Sequence, residues 1–122
     1  MPPQRILVVD DDPDILDFAA MGLRMCGYDV LTAPDGEEGV KVAKEQKPDL
    51  IVLDLSMPRM HGYQVCKAVR EDPTIAATKI VITSGKSYAV DIRTAMEAGA
   101  NEYLVKPYDM TMLLGAVRKH LT

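Results

Sequence analysis

Four short stretches of uninterrupted apolar residues mark the chain, at 6–9, 50–53, 80–82 and 103–105. Runs of this kind, rich in Ile and Val, are what strands show when helices cover both faces of a parallel sheet. A fifth run, 29–33, alternates instead, which suits an edge strand with one wetter face. Between the runs the hydrophobic period lengthens. Leu16, Ala19, Ala20 and Leu23 form one stripe, Ile92, Ala95, Met96 and Gly99 another, and Met110, Leu113, Leu114, Val117 and Leu121 a third, each with the spacing of an amphipathic helix. The punctuation agrees with this reading. Asp12-Pro13 reads as an N-cap followed by a first-turn proline, Asp35 with Glu38 as a capping box, Gly27 as a C-terminal cap, and Pro48 and Pro73 as stops after helices. The strict alternation predicts five βα units in a right-handed doubly wound α/β sheet, one domain over residues 1–122, without linker or internal repeat.

Composition narrows the function classes. A chain of 122 residues buries enough surface for one core without disulfide staples. Fourteen Lys and Arg against eighteen Asp and Glu leave a net charge of −4, so there is no basic field to collect phosphate backbones, and direct nucleic-acid binding by this domain is not expected. Cys26 and Cys66 fall within apolar helical patterns and read as two buried small hydrophobes. No apolar run approaches the roughly 20 residues of a membrane helix, and the N-terminus runs from a strand directly into three aspartates, so the cytoplasm is the expected location.

In a parallel sheet, whatever follows each strand's last apolar residue is delivered to one edge of the molecule. The first strand delivers Asp10, Asp11 and Asp12, the third Asp54, the fourth Thr83 and Ser84, and the fifth Lys106. Carboxylates gathered this way repel, and one lysine offsets only part of that repulsion, so a cation is expected among them. A few oxygen ligands suit Mg²⁺, which typically shares one or two carboxylates with a phosphate. Phosphoryl transfer needs an in-line nucleophile, a metal and fixed donors to the phosphoryl oxygens. Asp54 can serve as nucleophile, with Lys106 and Thr83 as donors.

As a set, the segment 6–14 (Ile-Leu-Val-Val-Asp-Asp-Asp-Pro-Asp), Asp54-Leu55-Ser56-Met57-Pro58 with Gly62, Ile82-Thr83-Ser84, Glu97-Ala98-Gly99-Ala100 and Tyr103-Leu104-Val105-Lys106-Pro107 resembles a response-regulator receiver domain of two-component signalling. The resemblance covers nearly the whole chain. It implies a flavodoxin-like (βα)5 fold with strand order 2-1-3-4-5, which the hydrophobic pattern alone does not supply. It further implies that Asp54 accepts a phosphoryl group from a phosphohistidine of a histidine kinase or phosphotransfer protein. Asp11, Asp54 and the backbone carbonyl of Ser56 would ligate Mg²⁺, with Asp10 acting mainly through water. Lys106 would pair with a phosphoryl oxygen, the Lys106-Pro107 bond would be cis, and Thr83 and Tyr103 would form the switch pair. The domain would then be a stoichiometric phosphoacceptor with at most self-catalysed chemistry, rather than an enzyme. The face of the fourth helix, fifth strand and fifth helix would pass the signal to a downstream protein or a C-terminal output domain, with room for a phosphorylation-dependent homodimer.

Two positions depart from the pattern: His61 stands where an aspartate is usual, and Tyr108 where phenylalanine is common. Ser56 and Gly85 occupy places where receivers vary and where side chains help to set hydrolysis rates. Asp12 reads as an N-cap rather than a ligand, and Ser84 as a backbone donor rather than a hydroxyl one. His61 and His120 read as structural or solvated, Arg118-Lys119-His120 as a complement to the last helix dipole, and Met57 and Met60 as partner-facing residues, with core packing nearly as well supported. Other readings stay open. Asp10-x-Asp12 also resembles the nucleophile motif of haloacid-dehalogenase-type phosphatases, with Asp10 as the nucleophile. A flavodoxin-like cofactor binder is disfavoured by three aspartates where a flavin phosphate would sit, and a phosphorylation-independent pseudo-receiver by the complete acidic set.

Overall fold

The computed structural model describes residues 2–57 and 59–121, so Pro58 of the Asp54 motif lies outside the described residues. Strands and helices alternate as β1 (Arg5–Val9), α1 (Pro13–Met25), β2 (Asp29–Ala33), α2 (Gly36–Gln46), β3 (Leu50–Asp54), α3 (Gly62–Glu71), β4 (Lys79–Ser84), α4 (Ala89–Glu97), β5 (Glu102–Val105) and α5 (Met110–Leu121). All strand pairs are parallel, in the order β2-β1-β3-β4-β5. The apolar runs are central because both faces of the sheet are covered. Ile6, Val8, Leu50, Val52 and Val81 pack against Ala19 and Leu23 of α1 and Leu113 and Val117 of α5. Their sequence neighbours Leu7, Val9, Ile51, Leu53, Ile80 and Ile82 point the other way, onto Ala43, Val65, Val69 and Ala95 of α2, α3 and α4. The alternating run is the edge strand β2, as its pattern predicts.

The caps explain most helix boundaries. The Asp12 carboxylate accepts from the Asp14 amide at 2.9 Å, and Asp35 accepts from the Glu38 amide at 2.9 Å. The reciprocal capping box expected at α2 is found instead on α3, between His61 and Gln64. Gly99, expected on the α4 stripe, lies beyond the helix end at φ +111, a left-handed turn that a side chain would strain. Of the two readings of Met57 and Met60, core packing holds: Met57 is buried and Met60 packs half-buried against the core. The expectation for the cysteines is corrected at one of them. Cys26 is exposed, being the C-cap of α1 where the chain has left the helix's apolar face; Cys66 is buried, which pushes its thiol up to about 11.

Arg70, at the end of α3, carries no signal in the sequence pattern yet joins two loops, the one before β4 and the one between α4 and β5. It donates to the carbonyls of Ala76 (2.8 Å), Thr78 (2.5 Å) and Gly99 (2.7 and 3.0 Å), and to the side-chain oxygen of Asn101 (3.0 Å). The same Asn101 oxygen accepts from the Ile80 amide at 2.8 Å, which locks the start of β5 to β4.

A Cβ at Gly62 would lie 2.8 Å from Leu55 Cα and 2.9 Å from the Asp54 carbonyl oxygen, whereas one at Gly85 would meet nothing within 4 Å. Gly62→Ala is therefore expected to destabilise the fold by about 1–3 kcal/mol. Gly85→Ala should be neutral or stabilising by up to about 1 kcal/mol through the unfolded chain. Urea denaturation of the two variants checks the contrast.

Candidate functional site

The carboxyl edge of the sheet gathers residues that are far apart in sequence. Asp10 follows β1, Asp54 ends β3, and Lys106 follows β5. Asp54 lies beside Thr83 in the β3–β4 register, and the Leu55 amide donates to the Thr83 carbonyl at 2.9 Å. Asp10, Asp54 and Thr83 are buried, while Asp11 is exposed at the rim. One carboxylate oxygen from each of Asp10, Asp11 and Asp54 falls within 4.8 Å of the others. The Lys106 ammonium bridges the two buried members, at 2.9 Å from Asp10 Oδ2 and 3.0 Å from Asp54 Oδ1. The other Asp10 oxygen accepts from the Asp12 amide at 2.9 Å, which fixes the carboxylate's orientation. The Lys106-Pro107 bond is cis.

Charges are unequally matched here. Burial raises the Asp54 pKa to about 6 from the usual 3.8; Lys106 pulls it down, and Asp10 and Asp11 push it up. Burial works against the Lys106 ammonium, but its bonds to Asp10 and Asp54 prevail and hold it above the ordinary lysine value. Three carboxylates thus gather at an open rim around one ammonium that bonds only Asp10 and Asp54. An all-oxygen donor set with one exposed member fits a small hard cation such as Mg²⁺, which keeps several waters. Ser56, two residues past Asp54, is at an exposed bend.

Tyr103 does not reach this cluster. Its ring packs against the α3/α4 side of the core, and its hydroxyl donates to the Lys86 carbonyl at 2.8 Å, tying β5 to the loop before α4. Ser84 serves that loop through its side chain, its hydroxyl oxygen accepting from the Lys86 amide at 3.1 Å. His120 is not merely solvated: it shares the Glu102 carboxylate with Lys119, at 2.8 and 3.3 Å. Tyr108 forms one wall of an apolar cleft of about 260 Å³ with Ile15, Phe18, Lys106 and Pro107. Burial and then the Asp10 charge push its phenol up to about 12. The apolar lining of that cleft had no sequence signal, because Ile15 and Phe18 lie off the buried stripe of α1.

A sequence model of the response regulator receiver domain matches residues 6–118. The chain is 40% identical over 114 residues to the DNA-binding dual master transcriptional regulator RpaA of Synechocystis, covering 93% of this chain and 47% of that protein. It is 38% identical to the DNA-binding response regulator MtrA of Mycolicibacterium smegmatis, covering 97% and 50%. It spans about half the length of these relatives. Among solved structures it is similar to the chemotaxis protein CheY4 of Vibrio cholerae, with a TM-score of 0.93, 31% identity, and coverage of 98% and 99%.

Because the fold holds the Asp54 proton more tightly than the unfolded chain does, the stability this group confers is complete below about pH 4 and is lost as pH rises through about 6. In metal-free buffer the loss should be of order 2–3 kcal/mol at most. Asp54→Asn should flatten that slope in urea titrations from pH 4 to 7. Lys106→Met, which removes the ammonium bonded to Asp54, should move its carboxyl titration above 6 by carbon-detected NMR.

Proposed function

This chain belongs to the response regulator receiver domain family of two-component signalling, and on that premise we propose that it is a phosphorylation-activated switch with Asp54 as phosphoacceptor. The observation that carries the reading is the Lys106 ammonium bridging buried Asp10 and Asp54 beside Asp11. A nucleophilic carboxylate, a counter-cation and a place for a divalent metal then occupy one sheet edge. In the proposed reaction an oxygen of ionised Asp54 attacks the phosphorus of a phosphohistidine on a histidine kinase or phosphotransfer protein. The phosphorus–nitrogen bond breaks with its electron pair going to the imidazole, and an acyl phosphate remains on Asp54. Lys106, freed from one carboxylate oxygen, pairs with a phosphoryl oxygen. Asp11, Asp54 and the Ser56 carbonyl would hold Mg²⁺, with Asp10 acting mainly through water; the metal would neutralise phosphoryl charge. Because the phosphoryl group stays on the protein, the domain acts stoichiometrically, with self-catalysed dephosphorylation at most.

Signal output in this reading runs through Thr83, which adjoins Asp54, and Tyr103, whose hydroxyl holds the loop before α4. A hydroxyl moving from Thr83 toward the phosphoryl group leaves space into which Tyr103 turns, releasing Lys86 and altering the face made by α4, β5 and α5. That face would meet a downstream protein, an output domain or a second copy of the chain. The net charge of −4 argues against direct nucleic-acid contact by this domain. Residues 1–122 are read as one domain acting in the cytoplasm; among the described residues no helix is long and apolar enough to cross a membrane.

Incubation with acetyl phosphate and Mg²⁺ should add one phosphoryl mass to the intact protein and none to Asp54→Asn. Modification mapped to Asp10 would instead favour the phosphatase chemistry. Asp11→Asn should weaken Mg²⁺ binding while raising the metal-free melting temperature by a few degrees, since it relieves repulsion. Thr83→Ala should still be phosphorylated but lose most of the amide shifts that beryllofluoride induces across residues 83–108. Shifts confined to the neighbours of Asp54 in the unaltered protein would sink the Thr83 and Tyr103 switch.

A further inference from the structure

His61 caps the N-terminus of α3 through its own side chain. Its ring nitrogen Nδ1 accepts from the Tyr63 amide at 3.3 Å, and its own amide donates to Gln64 Oε1 at 2.8 Å. Acceptance at Nδ1 requires a neutral imidazole with its proton on Nε2; a protonated ring has no lone pair there and cannot cap. An aspartate at this place would cap at any pH above its own acidic titration. A histidine at this place is therefore a cap that a single proton removes, whereas a carboxylate would be indifferent to mild acid.

The surroundings reinforce this. His61 sits at the positive end of the α3 dipole, half-buried, with its ring centroid 5.0 Å from that of Tyr63. Burial and then the charge of Lys86, from the loop before α4, hold its pKa below the usual 6.5. On the α2 side, the Arg59 guanidinium two residues earlier is engaged by Asp35 at 3.4 Å. On the α4 side, the Tyr63 hydroxyl donates to the Asp91 carbonyl at 3.4 Å. The start of α3 also bears directly on the reacting strand. The Gly62 amide donates to the Leu55 carbonyl at 2.9 Å, and a Cβ at Gly62 would lie 2.9 Å from the Asp54 carbonyl oxygen.

We infer that His61 is a proton-sensitive latch: protonation releases the cap on α3 and, through the Gly62–Leu55 contact, loosens the segment that presents Asp54 and Ser56, so that mild acid attenuates phosphorylation. The latch is engaged above about pH 6.5 and is lost as pH falls, opposite in sign to the contribution of Asp54 itself. The effect on phosphorylation rests on the reading of Asp54 as phosphoacceptor; the effect on the cap does not.

Two measurements separate these layers. Amide exchange by NMR should show the Tyr63 protection factor falling about fivefold between pH 7 and pH 5 in the unaltered protein, the loss expected of one cap. In His61→Asp it should change by less than twofold. Equal losses in both proteins overturn the latch. In the second measurement, Asp54 labelling by acetyl phosphate with Mg²⁺ is timed at pH 7.5 and pH 5.5. Protonation of Asp54 slows both proteins alike, so the rate of the unaltered protein relative to His61→Asp should fall severalfold in acid. A constant ratio alongside a lost cap overturns the link to Asp54. Absence of labelling at Asp54 in either protein defeats the phosphoacceptor reading and leaves the exchange result to decide the latch.

Discussion

One ammonium held between two buried carboxylates organises this molecule. Lys106 reaches Asp10 and Asp54 from the far side of β4, so the ends of β1, β3 and β5 are set against one another by a single cation. The arrangement is poorly matched for stability, because Asp11 adds a third negative charge at the rim and burial already resists ionisation of Asp54. Groups that repel one another in the resting protein become favourable when positive charge arrives, which is how a fold can hold a site ready for a metal and a phosphoryl group.

The elements around the site differ in how firmly they are held. The turn after α4 is fixed from below by Arg70 and Asn101, whose hydrogen bonds reach the loop before β4, the turn at Gly99 and the start of β5. The opposite end of α4 is held lightly. Its N-cap Tyr88 makes no side-chain cap bond, residues 85–90 are exposed, and the Tyr103 and Ser84 hydroxyls are the side-chain groups bonded to the Lys86 backbone there. The start of α4 is therefore its less constrained end, and the turn at Gly99 the anchored one.

His61 adds a second input at the other side of Asp54. Its cap and the Lys106 bridge respond to protons in opposite directions, since one needs a neutral imidazole and the other involves a carboxyl whose proton the fold retains. Both act on the short segment between β3 and α3, which also buries Met57 beneath α3.

How much was legible in the sequence follows from which forces act locally. Uninterrupted apolar runs, helical stripes and the Asp12 and Asp35 caps depend on near neighbours, so the five βα units, the edge strand β2 and the delivery of Asp10, Asp11, Asp54, Thr83 and Lys106 to one edge were readable in advance. The strand order came from family resemblance, because hydrophobic period does not say which strands are neighbours. Tertiary structure alone decided the features made by distant contacts. These include the Lys106 bridge, the pairing of Tyr103 with Lys86, and the five bonds of Arg70 to groups up to 31 residues away. The same holds where a local pattern misled, with Cys26 turned outward at a helix end and Gly99 into a turn, and where it left the outcome open, with Met57 turned inward and His61 into a cap. Each of these depends on where the chain goes after its element stops, and one sequence window does not contain that.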